Sequence, residues 1–145
     1  MDIESTITLA RDVPQVEEFL SSSGGRLVHR EEDPAGLYWA VVQPTAPAST
    51  QFVARISWTV YPHRPPSLLF APAISLPTSD PRGWPEASGY RAPNDICKPF
   101  TAEGQALHTE WATGPHAWRN TGNPFLFVVE NLVEDINRVG GARAA

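Results

Sequence analysis

The sequence predicts an α+β fold, and three observations predict it. Strand-forming runs joined by short turns fill the stretch from Arg26 to Phe70. A helical apolar stripe follows Asn123-Pro124, and a shorter one follows Asp12-Val13-Pro14. With 145 residues and no stretch that reads as a linker, positions 1–145 are expected to form a single domain, long enough to bury a core without disulfide or metal.

The elements follow in order. Residues 3–10 fit either a helix or an extended arm. Asp12 is a capping residue and Pro14 suits a first helical turn, with Val13, Val16, Phe19 and Leu20 on one face. Strands are expected over Arg26–Arg30, Leu37–Gln43 and Phe52–Val60. In the third, Phe52, Ala54, Ile56, Trp58 and Val60 alternate with polar or smaller residues, the period of a half-buried strand. Asp33-Pro34-Ala35-Gly36 is a turn, and short connections make an antiparallel meander.

Tyr61-Pro62-His63-Arg64-Pro65-Pro66 cannot donate ladder hydrogen bonds at its prolines and reads as a corner. Ser67–Phe70 is a fourth short strand. A long loop then carries Pro72, Pro77, Pro81, Pro85 and Pro93 and reaches the only cysteine, Cys97. Structureless loops of such length are mostly functional or mobile. Thr101–His108 suits a helical turn. The final helix is capped by Asn123, carries Phe125, Val128, Val129, Leu132, Val133 and Ile136 as its stripe, and stops at Gly140-Gly141. The tail after it is expected to fray.

Composition excludes some functions. The net charge of −5 and a single lysine, Lys98, leave no basic patch for nucleic acid. No apolar run approaches the roughly 18 residues of a membrane span, the acidic start Met1-Asp2-Ile3-Glu4 lacks a signal-peptide pattern, and one cysteine makes no internal disulfide. A cytoplasmic protein without nucleic-acid or membrane partners is expected. No Gly-rich phosphate loop and no Gly-x-Ser-x-Gly motif occurs.

Cys97 has two readings: a nucleophile on an exposed loop, or a buried inert thiol. Lys98 and Arg91 are cations beside it and Asp95 opposes them. His108 and His116 follow; either suits a base for an incoming amine or a loop-holding hydrogen bond. The spacing of Cys97, His108 and His116 matches no standard zinc pattern, so no metal is expected. Trp84, in the proline-rich loop, is the tryptophan expected to meet a partner.

The order of helix, meander, proline corner, strand, cysteine loop, tryptophan and helix resembles the ubiquitin-conjugating (E2, UBC-like) fold. Tyr61-Pro62-x-x-Pro65-Pro66, Ile96-Cys97 and Trp111 stand in the places of that family's motifs. The resemblance covers roughly residues 12–138 and is similar to divergent bacterial E2-like proteins. It implies a carrier that accepts a ubiquitin-like protein from an E1-like enzyme as a thioester on Cys97 and passes it to an amine of an acceptor protein. No small cofactor is implied, because ATP is consumed at the E1 step. Family members usually carry His-Pro-Asn before the cysteine; here Ala92-Pro93-Asn94 lies three residues from it. The resemblance makes Asn94 a possible oxyanion donor, whereas its neighbours make it a turn residue. The alternative on the same fold is a non-catalytic E2-variant or RWD-like binding module.

Overall fold

Asp2 starts the first helix, not Asp12. Its Oδ1 accepts the Ser5 amide at 2.8 Å, and α1 runs Ile3–Ser21 with Pro14 inside it. In the computed structural model, which describes residues 1–47 and 49–145, the buried stripe of α1 is Ser5, Leu9, Asp12, Val16 and Leu20. Those positions recur at intervals of three and four, as one helical face must. Two members are polar, and Ile3 and Ile7 point to solvent, which is why an apolar count leaves this segment undecided. An interior proline costs a helix about 3 kcal/mol; the buried stripe around it offsets that cost.

The two polar members have a specific task. Ser5 Oγ accepts the Tyr61 amide at 3.1 Å, and Asp12 Oδ2 accepts the Tyr61 hydroxyl. The same hydroxyl oxygen accepts the Phe125 amide at 3.2 Å. Tyr61, the head of the proline corner, therefore ties the N-terminal helix to the C-terminal one. Burial and the neighbouring Asp12 carboxylate raise its phenol far above the ordinary range.

Four strands make an antiparallel sheet in the order β1-β2-β3-β4: Arg26–Val28, Leu37–Val42, Phe52–Ser57 and Ser67–Ala71. The meander matches expectation in order and pairing, with β1 and β3 shorter than the sequence suggests. β1 stops because His29 and Arg30 turn to other partners. His29 Nδ1 lies 2.7 Å from the Leu37 carbonyl, and Asp33 accepts the Arg30 amide and guanidinium. β3 stops at Ser57; Trp58 still faces the core, and its amide donates to Gly36 O, one step beyond the Leu37–Ser57 pair.

One face of the sheet carries Ala40, Val42, Phe52, Ala54, Ile56, Leu68 and Phe70 and packs against α1 and the C-terminal helix. The other is not fully solvated: Trp39, Val41, Val53 and Ala71 form a second apolar cluster there. The C-terminal helix, Pro124–Arg138, has the cap and stripe read from the sequence; Asn123 Oδ1 accepts the Leu126 amide at 3.0 Å.

The proline-rich loop is more ordered than its sequence suggests. It contains a 3-10 turn over Pro81–Gly83 and a hairpin of β5, Tyr90–Arg91, with β6, Asp95–Ile96. Trp84 is wholly buried, stacks edge-on with Phe70 at 5.5 Å, and donates its Nε1–H to Thr78 O. It anchors the loop to the core and offers nothing to a partner, contrary to expectation. The tail does not fray either. Glu86 N donates to Ala142 O, Ala144 N to Trp84 O, and the Arg143 guanidinium lies 4.3 Å above Phe52 while bonding the Arg82 and Gln51 carbonyls. No helix is long and apolar enough to cross a membrane among the described residues.

Candidate active site

Cys97 follows β6 directly. Ile96 is buried, so the next side chain points the opposite way, to solvent. The Cys97 amide donates to Gly89 O at 2.8 Å, continuing the hairpin ladder beyond Tyr90 and Ile96. Gly89 has φ +86°, and a Cβ on it would lie 2.8 Å from Lys98 Cε. That left-handed backbone favours glycine.

The next residues build a short helix against this strand. Thr101 Oγ1 donates to Lys98 O at 2.8 Å and accepts Gly104 N at 3.0 Å, capping α2, Ala102–Leu107. Gly104 lets α2 lie directly on the strand backbone; a Cβ there would sit 2.1 Å from Lys98 O. Glu103 fastens the other side of α2 to β4, accepting the Ser67 hydroxyl and the Leu68 amide. Two tight contacts thus fix the helix, and its C-cap is His108.

That placement brings His108 Nε2 to 2.8 Å from Cys97 Sγ. A 3-10 turn, Thr109–Ala112, folds the chain back so that Glu110 Oε1 lies 2.9 Å from His108 Nδ1. Glu110 is held below the ordinary carboxyl range by a backbone amide hydrogen bond and by His108, so it is an anion at neutral pH. A carboxylate only accepts, so Nδ1 carries a proton toward Glu110, and in the neutral ring that tautomer turns the Nε2 lone pair to the thiol. Trp111 stacks on the imidazole at 4.0 Å between centroids and 18° between planes, and its amide donates to His108 O. Carboxylate, imidazole and thiol therefore form a relay, with the ring clamped by an indole. The arrangement can take the proton from the thiol as sulfur attacks a carbonyl carbon, and return one to a leaving or entering group.

The remaining candidates are placed elsewhere. Asn94 is exposed in the turn between β5 and β6, and no hydrogen bond among the described residues joins it to Cys97. Lys98 is engaged by the C-terminal helix; its Nζ meets Asp135 Oδ2 at 3.2 Å and lies 5.2 Å from the Tyr90 ring centre, while the Tyr90 hydroxyl donates to the same carboxylate at 2.6 Å. This network pins the strand after the hairpin to the C-terminal helix. Arg91 and Asp95 face each other loosely at 3.8 Å. His116 is exposed, 5.3 Å from the Trp111 ring centre, and makes no contact with Cys97. Among the described residues no three His, Cys, Asp or Glu side chains are grouped to hold a metal ion.

The thiol opens into a cleft of about 650 Å³ walled by Ser88, Gly89, Arg91, Asp95 and the tail residue Ala144. A second cleft, about 580 Å³, lies beyond Lys98, between the segment around His116 and Trp118 and the C-terminal helix. Glu110 is the residue that sequence reasoning missed. Its signal was the adjacency His108-Thr109-Glu110-Trp111, legible only once a 3-10 turn is assumed there. No protein-family model matches this chain, and no curated protein is significantly similar to it.

Proposed function

We propose that this protein is an E2-like acyl carrier, which accepts the activated C-terminus of a ubiquitin-like protein as a thioester on Cys97 and transfers it to an acceptor. The supporting observation is the exposed thiol with His108 Nε2 at 2.8 Å, standing at the mouth of an open cleft. The element order around it, with the Tyr61 corner between the meander and the cysteine loop, agrees with a UBC-like reading of the α+β fold. An E1-like enzyme is the proposed donor and an acceptor protein the recipient.

The same residues speak against an amide hydrolase. Such enzymes need donors for the oxyanion that forms on attack, and each is worth about 3 kcal/mol. The amide of Cys97 itself is already committed to Gly89 O at 2.8 Å. A thioester is a more activated acyl group than an amide, and exchanging or discharging it asks less of that stabilisation. The non-catalytic alternative finds support in the remote Asn94, but a binding module has no use for an exposed thiol with a paired imidazole.

The test is direct. Incubation with a peptide C-terminal thioester, or with an E1-like enzyme, ATP and a ubiquitin-like protein, should give an adduct that excess dithiothreitol removes. Cys97→Ala should form none. An adduct of equal yield on the alanine variant would refute the assignment, and a wild-type thiol that iodoacetamide labels only after denaturation would favour the binding module.

A further inference from the structure

The relay has a second use, which follows from what acylation does to it. Before loading, Cys97 Sγ is the partner of His108 Nε2 at 2.8 Å. Once sulfur carries an acyl group it has no proton to share. The Nε2 lone pair is then free beside the sulfur, to which the thioester carbon is bonded. Glu110, at 2.9 Å from Nδ1, holds the ring in the tautomer that leaves Nε2 unprotonated. Trp111, stacked at 4.0 Å, resists rotation of the ring out of that position. The His108 side chain is 32% exposed, so an acceptor reaches it from solvent.

We infer that His108 is the general base of the discharge step, and that it makes the Cys97 thioester transferable to hydroxyl acceptors as well as amines; this rests on the carrier reading above. In the step, the acceptor oxygen attacks the thioester carbon and its proton passes to His108 Nε2. The carbon–sulfur bond breaks, the electron pair stays on Cys97, and the imidazolium returns the proton to sulfur. An ester and the free thiol are the products, with no oxidant, metal or further reactant. A hydroxyl is a poor nucleophile until its proton leaves, so it depends on a base placed at the reacting carbon; general bases so placed typically contribute about 100- to 10,000-fold. An amine that is already neutral at pH 7 has no such need. Glu110 is a positioning residue in this scheme, acting only through the ring.

The experiment separates loading from discharge. Wild-type protein, His108→Gln, Glu110→Gln and Glu110→Asp are loaded with a short peptide thioester, freed of excess donor, and offered glycerol or hydroxylamine at pH 7. Intact mass is followed with time, so that slower loading of a variant does not enter the reading. The quantity compared is the ratio of the glycerol rate to the hydroxylamine rate, because hydroxylamine attacks as a neutral nucleophile. His108→Gln should lower this ratio at least about 30-fold, Glu110→Gln about 10-fold, and Glu110→Asp should restore part of the loss. A merely structural role of either residue would slow both acceptors together and leave the ratio unchanged. Loading of all variants with an unchanged ratio overturns the base assignment and leaves the carrier reading standing. Failure of wild-type Cys97 to load at all overturns both.

Discussion

Gly104→Ala tests how the fold sets the site. The added Cβ would stand 2.1 Å from Lys98 O and 2.8 Å from Lys98 C and N, where ordinary contact begins at 3.4 Å. These are backbone atoms, so no rotamer change relieves the clash; α2 and the strand bearing Cys97 must part by more than 1 Å. Glu103 pins the N-terminal turn of α2 to Ser67 and Leu68, so the motion falls mainly on the other end, where His108 sits. Overpacking of this kind costs about 1–3 kcal/mol, while alanine in place of an interior helical glycine returns about 1 kcal/mol. The net loss of stability should therefore be small, about 1 kcal/mol, by urea denaturation. The loss at the site should be large, since opening the 2.8 Å Cys97–His108 contact by about 1 Å breaks it. Iodoacetamide alkylation of Cys97 at pH 7 should slow to the rate of His108→Gln. A variant with wild-type stability and wild-type alkylation would refute both the steric reading of Gly104 and the dependence of the relay on α2.

Two further predictions concern the frame. Tyr61→Phe removes the partner of a buried Asp12 carboxylate and of the Phe125 amide in one change; leaving such groups unsatisfied should destabilise the protein by about 2–4 kcal/mol in denaturant titrations, and a loss below about 1 kcal/mol would contradict the tie between the two terminal helices. Asp33 is held down to about 2 by its hydrogen bonds with Arg30. A folded carboxyl depressed below its unfolded value of 3.8 stabilises the protein above that value and stops doing so as pH falls through about 2. Asp33→Asn should thus cost up to about 2 kcal/mol at pH 7, and its gap from wild type should close between pH 4 and pH 2; a gap that stays constant with pH would assign the loss to something other than this ion pair.

The sheet and the last helix were legible because their signals are local and redundant. Phe52, Ala54 and Ile56 alternate on a strand, and the Asn123-Pro124 start coincides with an apolar stripe. The first helix was half legible. Its buried face includes Ser5 and Asp12, chosen for Tyr61 across the core and not for hydropathy, and a partner 49 residues away leaves no periodic trace. Trp84 misled for a related reason: prolines surround it, so it looks exposed, yet Phe70 and the Thr78 carbonyl receive it. At the site, a thiol and two imidazoles downstream of it were readable as residue types. Which of the two histidines meets the thiol was not, because it depends on the close approach of Gly104 to the Lys98 backbone and on a cap at Thr101.

The relay is a short-range device placed on a long-range scaffold. Cys97, His108 and Glu110 lie within one segment, and the contacts that set their spacing are Gly89 against Lys98, Gly104 against Lys98, and Thr101 against both strand and helix. The scaffold enters through two carboxylates. Glu103 fastens the segment to β4, and Asp135 fastens Lys98 to the C-terminal helix. Lys98, the only lysine in the chain, is thereby held by a carboxylate of the C-terminal helix. For the proposed carrier this has a chemical consequence. A free lysine beside a thioester is an acceptor, and self-transfer would empty the carrier before any partner arrived. Lys98 Nζ lies 3.2 Å from Asp135 Oδ2 and 5.2 Å from the Tyr90 ring centre. In the proposed carrier, these contacts engage the one amine side chain that the sequence places next to Cys97 and so oppose its competing with an acceptor.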